Sequence, residues 1–287
     1  MKKAGNAQKW ILVFILFLSL ASFTWAGSDC NEVYGTGSNR FTLATGSPGE
    51  LGLLKELAGF FNQKHNTTIC WKKAGSGASL KLLQKKKADL IMVHAPAAEK
   101  KAVQGGWAIK RTLIGSNEFY IVGPKNDPAQ IAKAKSAADA YARIAKAKAP
   151  FLSRGDNSGT HKKEMAIWGK AGINPSGQWY IVTKEFMLTT LKKANRIKGY
   201  FMTDSSTWVV GKKELTNLSV LFRGDRFLIN VYHALCQPEG ATSGQKYASL
   251  FVDFVGSEDG QKIIRSYGQD LYGEAMYNDA TYARKYE

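Results

Sequence analysis

Cysteine, histidine and proline are all scarce in this chain, at three, four and seven among 287 residues. With 44% of residues hydrophobic, so few prolines exclude a disordered or fibrous chain. No cysteine or histidine pair has metal-ligand spacing, so no structural metal is expected. Cys30, Cys70 and Cys236 allow one disulfide at most and leave one thiol over. Acidic residues are also short: 23 against 40 Lys and Arg give a formal charge of +17. That excess suits an anionic partner, whether nucleic acid, acidic membrane or small anion, without choosing among them. Long apolar runs are missing after residue 20, and no repeat recurs at a fixed period.

The single apolar run sets the compartment. Lys2, Lys3 and Lys9 precede Trp10 to Leu20, and Thr24-Trp25-Ala26 follows as a signal-peptidase site. Residues 1–26 therefore read as a signal peptide, and the mature chain begins near Gly27 in the periplasm. The run is short for a membrane span, and a retained anchor is the alternative. Asp29 before Cys30 argues against lipoprotein processing. Removal takes away three lysines and no acid, leaving about +14. Export permits a Cys30–Cys70 bridge between adjacent predicted strands; three free thiols are the equal alternative.

Strand and helix patterns then alternate. Phe41 to Thr45, Thr67 to Lys72, Ala88 to Val93, Glu118 to Val122 and Pro150 to Ser153 read as strands. Residues 50–64, with Leu51, Leu54, Leu57, Ala58 and Phe61, have helical spacing, as do 129–148 and 161–170. The alternation predicts an α/β protein with largely parallel sheets. Lysine-rich tracts at 84–87, 133–135 and 146–148 lack interleaved aromatics, so nucleic acid is not the expected partner.

Three strand-to-helix loops carry the chemistry: Ala44-Thr45-Gly46-Ser47, Gly75-Ser76-Gly77, and Ser153 through Arg154, Ser158 and Gly159 to Thr160. Free backbone N–H groups and the positive dipole end at a helix start favour an anion. Hydroxyls add uncharged donors, and Arg154 adds a planar fork. Each loop alone is more simply a helix cap, and Asp156 is a ready structural partner for Arg154. Together they point to an anion site. Candidate ligand-binding residues are Thr45, Gly46, Ser47, Ser76, Arg154, Ser158, Gly159 and Thr160.

The run from Ala149 to Tyr180 (A-P-F-L-S-R-G-D-N-S-G-T-H-K-K-E, W-G-K-A-G-I, W-Y) resembles the tungstate-binding periplasmic proteins of ABC importers. So do A-D-L-I-M-V-H-A-P from Ala88, N-E-F-Y-I-V-G-P-K-N-D-P-A from Asn117, and Thr203-Asp204, in family order. The resemblance implies a type II periplasmic-binding-protein fold: α/β, with two lobes of mixed, mainly parallel sheets around a ligand cleft. The lobes would be residues 27–119 with 228–287, and 120–227. It also implies a bound oxyanion, tungstate or molybdate, an ABC permease as partner, a monomer, and neither cofactor nor reaction.

The family's arginine, serine and threonine fall on Arg154, Ser158 and Thr160. Its hydroxyl-rich first loop falls on Ala44-Thr45-Gly46-Ser47, where only Thr45 and Ser47 keep hydroxyls. Further departures stand at Glu50-Leu51-Gly52, at Lys184-Glu185-Phe186-Met187-Leu188 and at Ser205. They remove donors and add bulk, which leaves either an oxyanion held by fewer hydroxyls or a reshaped site. Two rival functions are a hydrolase of phosphate or sulfate esters with Ser47, Ser76 or Ser158 as nucleophile and His94 or His161 as base, and a sensory or surface-interaction protein that keeps the fold. The first lacks a Gly-x-Ser-x-Gly elbow.

Overall fold

The computed structural model describes residues 29–287, so the signal-peptide reading of residues 1–26 lies outside the described residues. The strands are β1 (Glu32–Tyr34), β2 (Asn39–Thr45), β3 (Thr67–Lys73), β4 (Leu90–Val93), β5 (Ile109–Pro124), β6 (Phe151–Ser153), β7 (Tyr180–Val182), β8 (Tyr200–Asp204), β9 (Leu218–Phe222) and β10 (Ile229–Cys236). The main helices are α1 (Ser47–Glu50), α2 (Leu53–His65), α3 (Ser76–Gln84), α4 (Pro96–Gln104), α5 (Ala137–Ala147), α6 (Gly159–Lys170), α7 (Met187–Ile197), α8 (Ser205–Gly211), α9 (Gln245–Gly256) and α10 (Glu258–Ser266).

The strands form one mixed sheet in the order β1-β3-β2-β4-β10-β5-β8-β6-β7, with β9 on β5. Parallel pairs occupy the flanks: β2 with β3 and β4, and β6 with β7 and β8. Antiparallel pairs lie in the middle, where β10 pairs with β4 and β5, and β5 with β8 and β9, and at one edge, where β1 pairs with β3. β5 runs far beyond the expected Glu118–Val122. Its first half pairs with β10 and its second half with β8 and β9, so one strand serves both flanks. Polar Ser116 and Asn117 hide this continuity in the sequence, yet both are buried.

Two expected helices are each divided. Gly52, at φ +91, separates α1 from α2, since that backbone conformation suits glycine. Ser136 starts α5 by accepting a bond from the Asp139 amide, 3.1 Å, and a short 3-10 turn at Ile131–Lys133 precedes it. The apolar face of α2 buries Leu53, Leu54, Leu57, Ala58 and Phe61. There Phe41, Phe61 and Phe251 pack as one aromatic cluster, with Phe61 and Phe251 ring centres 5.0 Å apart. The opposite flank has its own cluster of Tyr141, Phe151 and Trp168, with centroids 4.4–5.2 Å apart. Each such buried ring contributes roughly 1.5–3 kcal/mol through loss of water contact.

Cys30 and Cys70 are bridged, and Cys236 is buried as a free thiol. The pairing β1 makes with β3, Val33 opposite Cys70, brings the two Cα atoms to 5.4 Å. Of the two alternatives the sequence leaves open, the bridge is the one formed. The link adds a covalent tie to a three-residue edge strand. Urea unfolding of Cys30→Ser is expected to show a loss of roughly 2–4 kcal/mol against the oxidised protein. Adding reductant should bring the parent protein down to the variant and leave the variant where it is.

Candidate functional site

The site lies where helices start after the carboxyl ends of parallel strands. β2 leads to α1, β3 to α3 and β6 to α6. α3 starts after Gly75, and α6 after Ser158, whose hydroxyl accepts from the His161 amide at 3.2 Å. These two helix starts come from opposite flanks of the sheet and face each other. A Cβ on Gly75 would stand 3.0 Å from the Ser158 Cβ and 3.8 Å from Arg154 Nη2. One on Gly77 would meet the Asn157 carbonyl at 2.6 Å. Glycine is therefore needed here for the loops to approach, and no side chain separates them.

Six of the eight sequence-derived residues line one crevice: Thr45, Gly46, Ser47, Ser76, Arg154 and Ser158. Its volume is about 10 Å³, which is about one water. Gly159 and Thr160 stand just behind, in the first turn of α6. A Cβ on Gly159 would lie 2.4 Å from the His94 ring, so that ring packs directly on the helix start. The Thr160 hydroxyl and His94 Nδ1 are buried without a hydrogen-bond partner among the described residues.

The hydroxyls are not equally free. Thr45 donates to the Met92 carbonyl at 2.8 Å, and this bond ties β2 to β4. Thr45 thus lines the crevice with its hydroxyl proton already given to a brace of the floor. Ser47 reaches across to Asp204 Oδ2 at 3.4 Å. Ser76 accepts from the His94 amide at 3.2 Å, which leaves its proton available.

Arg154 is 4% exposed, and its Nε and Nη2 both donate to Asp156 Oδ2. The structural partnership seen in the sequence is therefore real, and it coexists with a place on the crevice wall. Burial pushes the Asp156 carboxyl up, but Arg154 and the Ser158 bonds outweigh it and hold the group below its usual range. His94 is driven down to about 3 by burial of its ring and by the Arg154 charge, so it is neutral at physiological pH. Asp204 is pushed up by burial, opposed by bonds from Thr207.

Sequence reasoning missed Tyr232 on the crevice wall and Asp204 behind Ser47. His94 was legible by the same strand-end logic, since His94-Ala95-Pro96 follows β4. Tyr232 had no local signal, because it reaches the crevice from the antiparallel β10. The Ser205 hydroxyl accepts from the Glu118 amide at 3.3 Å. A larger groove of about 950 Å³ lies between α2 and α10, lined by Phe60, Lys64, Phe254 and Leu271. No strand-end loop opens on it, so size does not select the site. Among the described residues, no cluster of His, Cys, Asp or Glu could hold a metal, and no helix is long and apolar enough to cross a membrane.

The PBP superfamily domain matches residues 32–259. The tungstate-binding protein TupA of Peptoclostridium acidaminophilum is 32% identical over 271 residues, covering 92% of this chain and 94% of its own. The solved tungstate ABC transporter protein of Geobacter sulfurreducens is 37% identical with a TM-score of 0.73, over 81% of this chain and 100% of that one. The solved tungstate-binding protein TupA of Desulfovibrio alaskensis is 34% identical with a TM-score of 0.70, over 84% and 99%.

Behind the crevice, Glu164 on α6 is 1% exposed and accepts from Tyr180 Oη at 2.7 Å and Trp168 Nε1 at 3.3 Å. Burial raises it from 4.5 to about 7 despite those bonds. A carboxyl raised on folding favours the folded state while protonated, so its contribution is full below 4.5 and is lost as pH rises through about 7. That share of the stability declines between about pH 4.5 and 7, while neutral His94 contributes in the opposite sense below about 6.5. Glu164→Gln, followed by scanning calorimetry over that range, should flatten the decline.

Proposed function

The chain belongs to the PBP superfamily, among the solute-binding proteins of ABC transporters, and from that premise we propose that it captures a tetrahedral oxyanion, tungstate or molybdate, for an ABC importer. The observation that carries this reading is the convergence of the α3 and α6 starts on buried Arg154. Each helix start presents unpaired N–H groups and about half a positive charge. A guanidinium adds a fixed fork between them. A neutral His94 and the spare hydroxyl protons of Ser76 and Thr160 supply uncharged donors to an ion that only accepts.

Residues 27–119 with 228–287 form one lobe in this reading, and residues 120–227 the other. β5 crosses between them and the chain returns just before β10, so hinge bending there would open the crevice and let an ion in. A crevice of about 10 Å³ needs such opening. The protein works as a periplasmic monomer, exported by the N-terminal segment, and hands its ion to a permease in the membrane. Binding here involves no bond making, and the relatives are binding proteins rather than enzymes.

Arg154→Ala should weaken tungstate binding at least about tenfold in calorimetric titration, since a charge-assisted hydrogen bond is worth about 1.5–3 kcal/mol. Arg154→Lys should recover only part, because a point charge cannot reproduce the fork. Because Asp156 also holds the loop through the Ser158 amide, Asp156→Ala should lower the melting temperature measured without tungstate. Unchanged affinity in a well-folded Arg154→Ala protein would remove the arginine from the site. In thermal denaturation, tungstate at about a hundredfold excess over Kd should add roughly 2.7 kcal/mol of stability, and chloride at equal ionic strength should not.

A further inference from the structure

A second set of charges stands beside the crevice and is not used in the oxyanion reading. Phe186 precedes α7 on the flank that carries Arg154, and its ring centre lies 5.2 Å from the Arg154 guanidinium. The same ring is met from the other flank by Lys73, the last residue of β3, whose Nζ stands 4.3 Å from the centroid. Lys73 is itself paired with Glu50 of α1 at 2.8 Å. Glu50, Lys73, Phe186, Arg154 and Asp156 thus form a row in which two ion pairs flank one aromatic ring with their cations innermost, and it crosses the gap between the two flanks.

Both cations lie within the roughly 6 Å over which a ring face attracts a positive charge. Each is compensated by its own carboxylate, so the row carries no uncompensated charge. The Glu50 and Lys73 side chains are only 15% and 27% exposed, which shields the pair from bulk water and salt. The Lys184 amide donates to the Arg154 carbonyl at 2.9 Å, fixing the Phe186 turn to the arginine's own backbone. A ring held this way restricts where the guanidinium fork can point.

We propose that Phe186 is a positioning and gating residue of the anion site. It orients Arg154 on one flank and, through Lys73 held by Glu50, clasps the other flank over the crevice. Opening the crevice must separate Lys73 from the ring. The clasp therefore sets how readily the ion leaves, and it acts on ions large enough to need that opening. For its ligand the proposal rests on the oxyanion reading; for the clasp it rests on the contacts alone.

Two readouts test it. Spin labels at exposed Lys85→Cys and Lys146→Cys report the distance between flanks in protein dialysed free of anions. Phe186→Ala and Lys73→Met should each move the distribution to longer distances, and the double variant should move it no further than the larger single change. Sodium tungstate is the probe for binding: Phe186→Ala should raise its Kd at least about fivefold and speed its release, and Phe186→Tyr should restore both. Distances and release rates in Phe186→Ala that match the parent protein would overturn the proposal. So would additive effects of the two substitutions. Longer distances in the variants, in a protein that gives no heat with tungstate, would uphold the clasp and sink the oxyanion reading.

Discussion

A buried guanidinium is the constraint on which the site depends. Arg154 is only 4% exposed, and a cation taken out of water must find compensation nearby. Asp156 supplies it two residues later, and the same carboxylate accepts the Ser158 amide at 3.1 Å. One ion pair thereby shapes the loop that starts α6. Its field reaches further. The positive charge helps keep His94 neutral, and a neutral ring can pack against Gly159 where an imidazolium would face both the helix start and the arginine.

The site also depends on what joins the two flanks of the sheet. β5 runs from one to the other, its first half paired with β10 and its second with β8 and β9, and a buried polar chain is strung along the crossing. The Asn230 side-chain amide donates to Asn117 Oδ1 at 2.9 Å, and Asn117 Nδ2 donates to Ser206 Oγ at 2.9 Å and to Asp204 Oδ1 at 3.4 Å. Asp204 in turn receives Ser47 from the first loop. A fully satisfied chain of this kind specifies one arrangement, because breaking any link strands a buried partner. Its position between the crossing and the crevice means that motion of the flanks and contact with a ligand are felt by the same side chains.

Much of this was legible in the sequence, for physical reasons that can be traced. The apolar spacing of Leu54, Leu57 and Phe61 marks a helix with one buried face, and α2 buries that face. Small residues after apolar runs mark strand-end loops, and the loops at Gly46, Gly75 and Arg154 do meet. The Asp156 partner of Arg154 was visible at two residues' distance. What stayed hidden depends on contacts remote in the chain. Thr45 looks like a free hydroxyl until β4 comes alongside and Met92 takes its proton. Ser116 and Asn117 look like the end of a strand until β10 and Asp204 surround them. Glu50 and Phe186, noted only as departures from a family pattern, meet through Lys73, which carried no signal of its own.

The central claim is that an oxyanion sits between the starts of α3 and α6 against Arg154. Anomalous diffraction at a tungsten absorption edge, from crystals grown with sodium tungstate, tests it by locating the metal atom directly. The account predicts one strong peak bounded by Ser47, Ser76, Arg154 and Thr160, with its oxygens within hydrogen-bonding reach of the guanidinium. A peak elsewhere, or no peak in well-diffracting crystals, would contradict it.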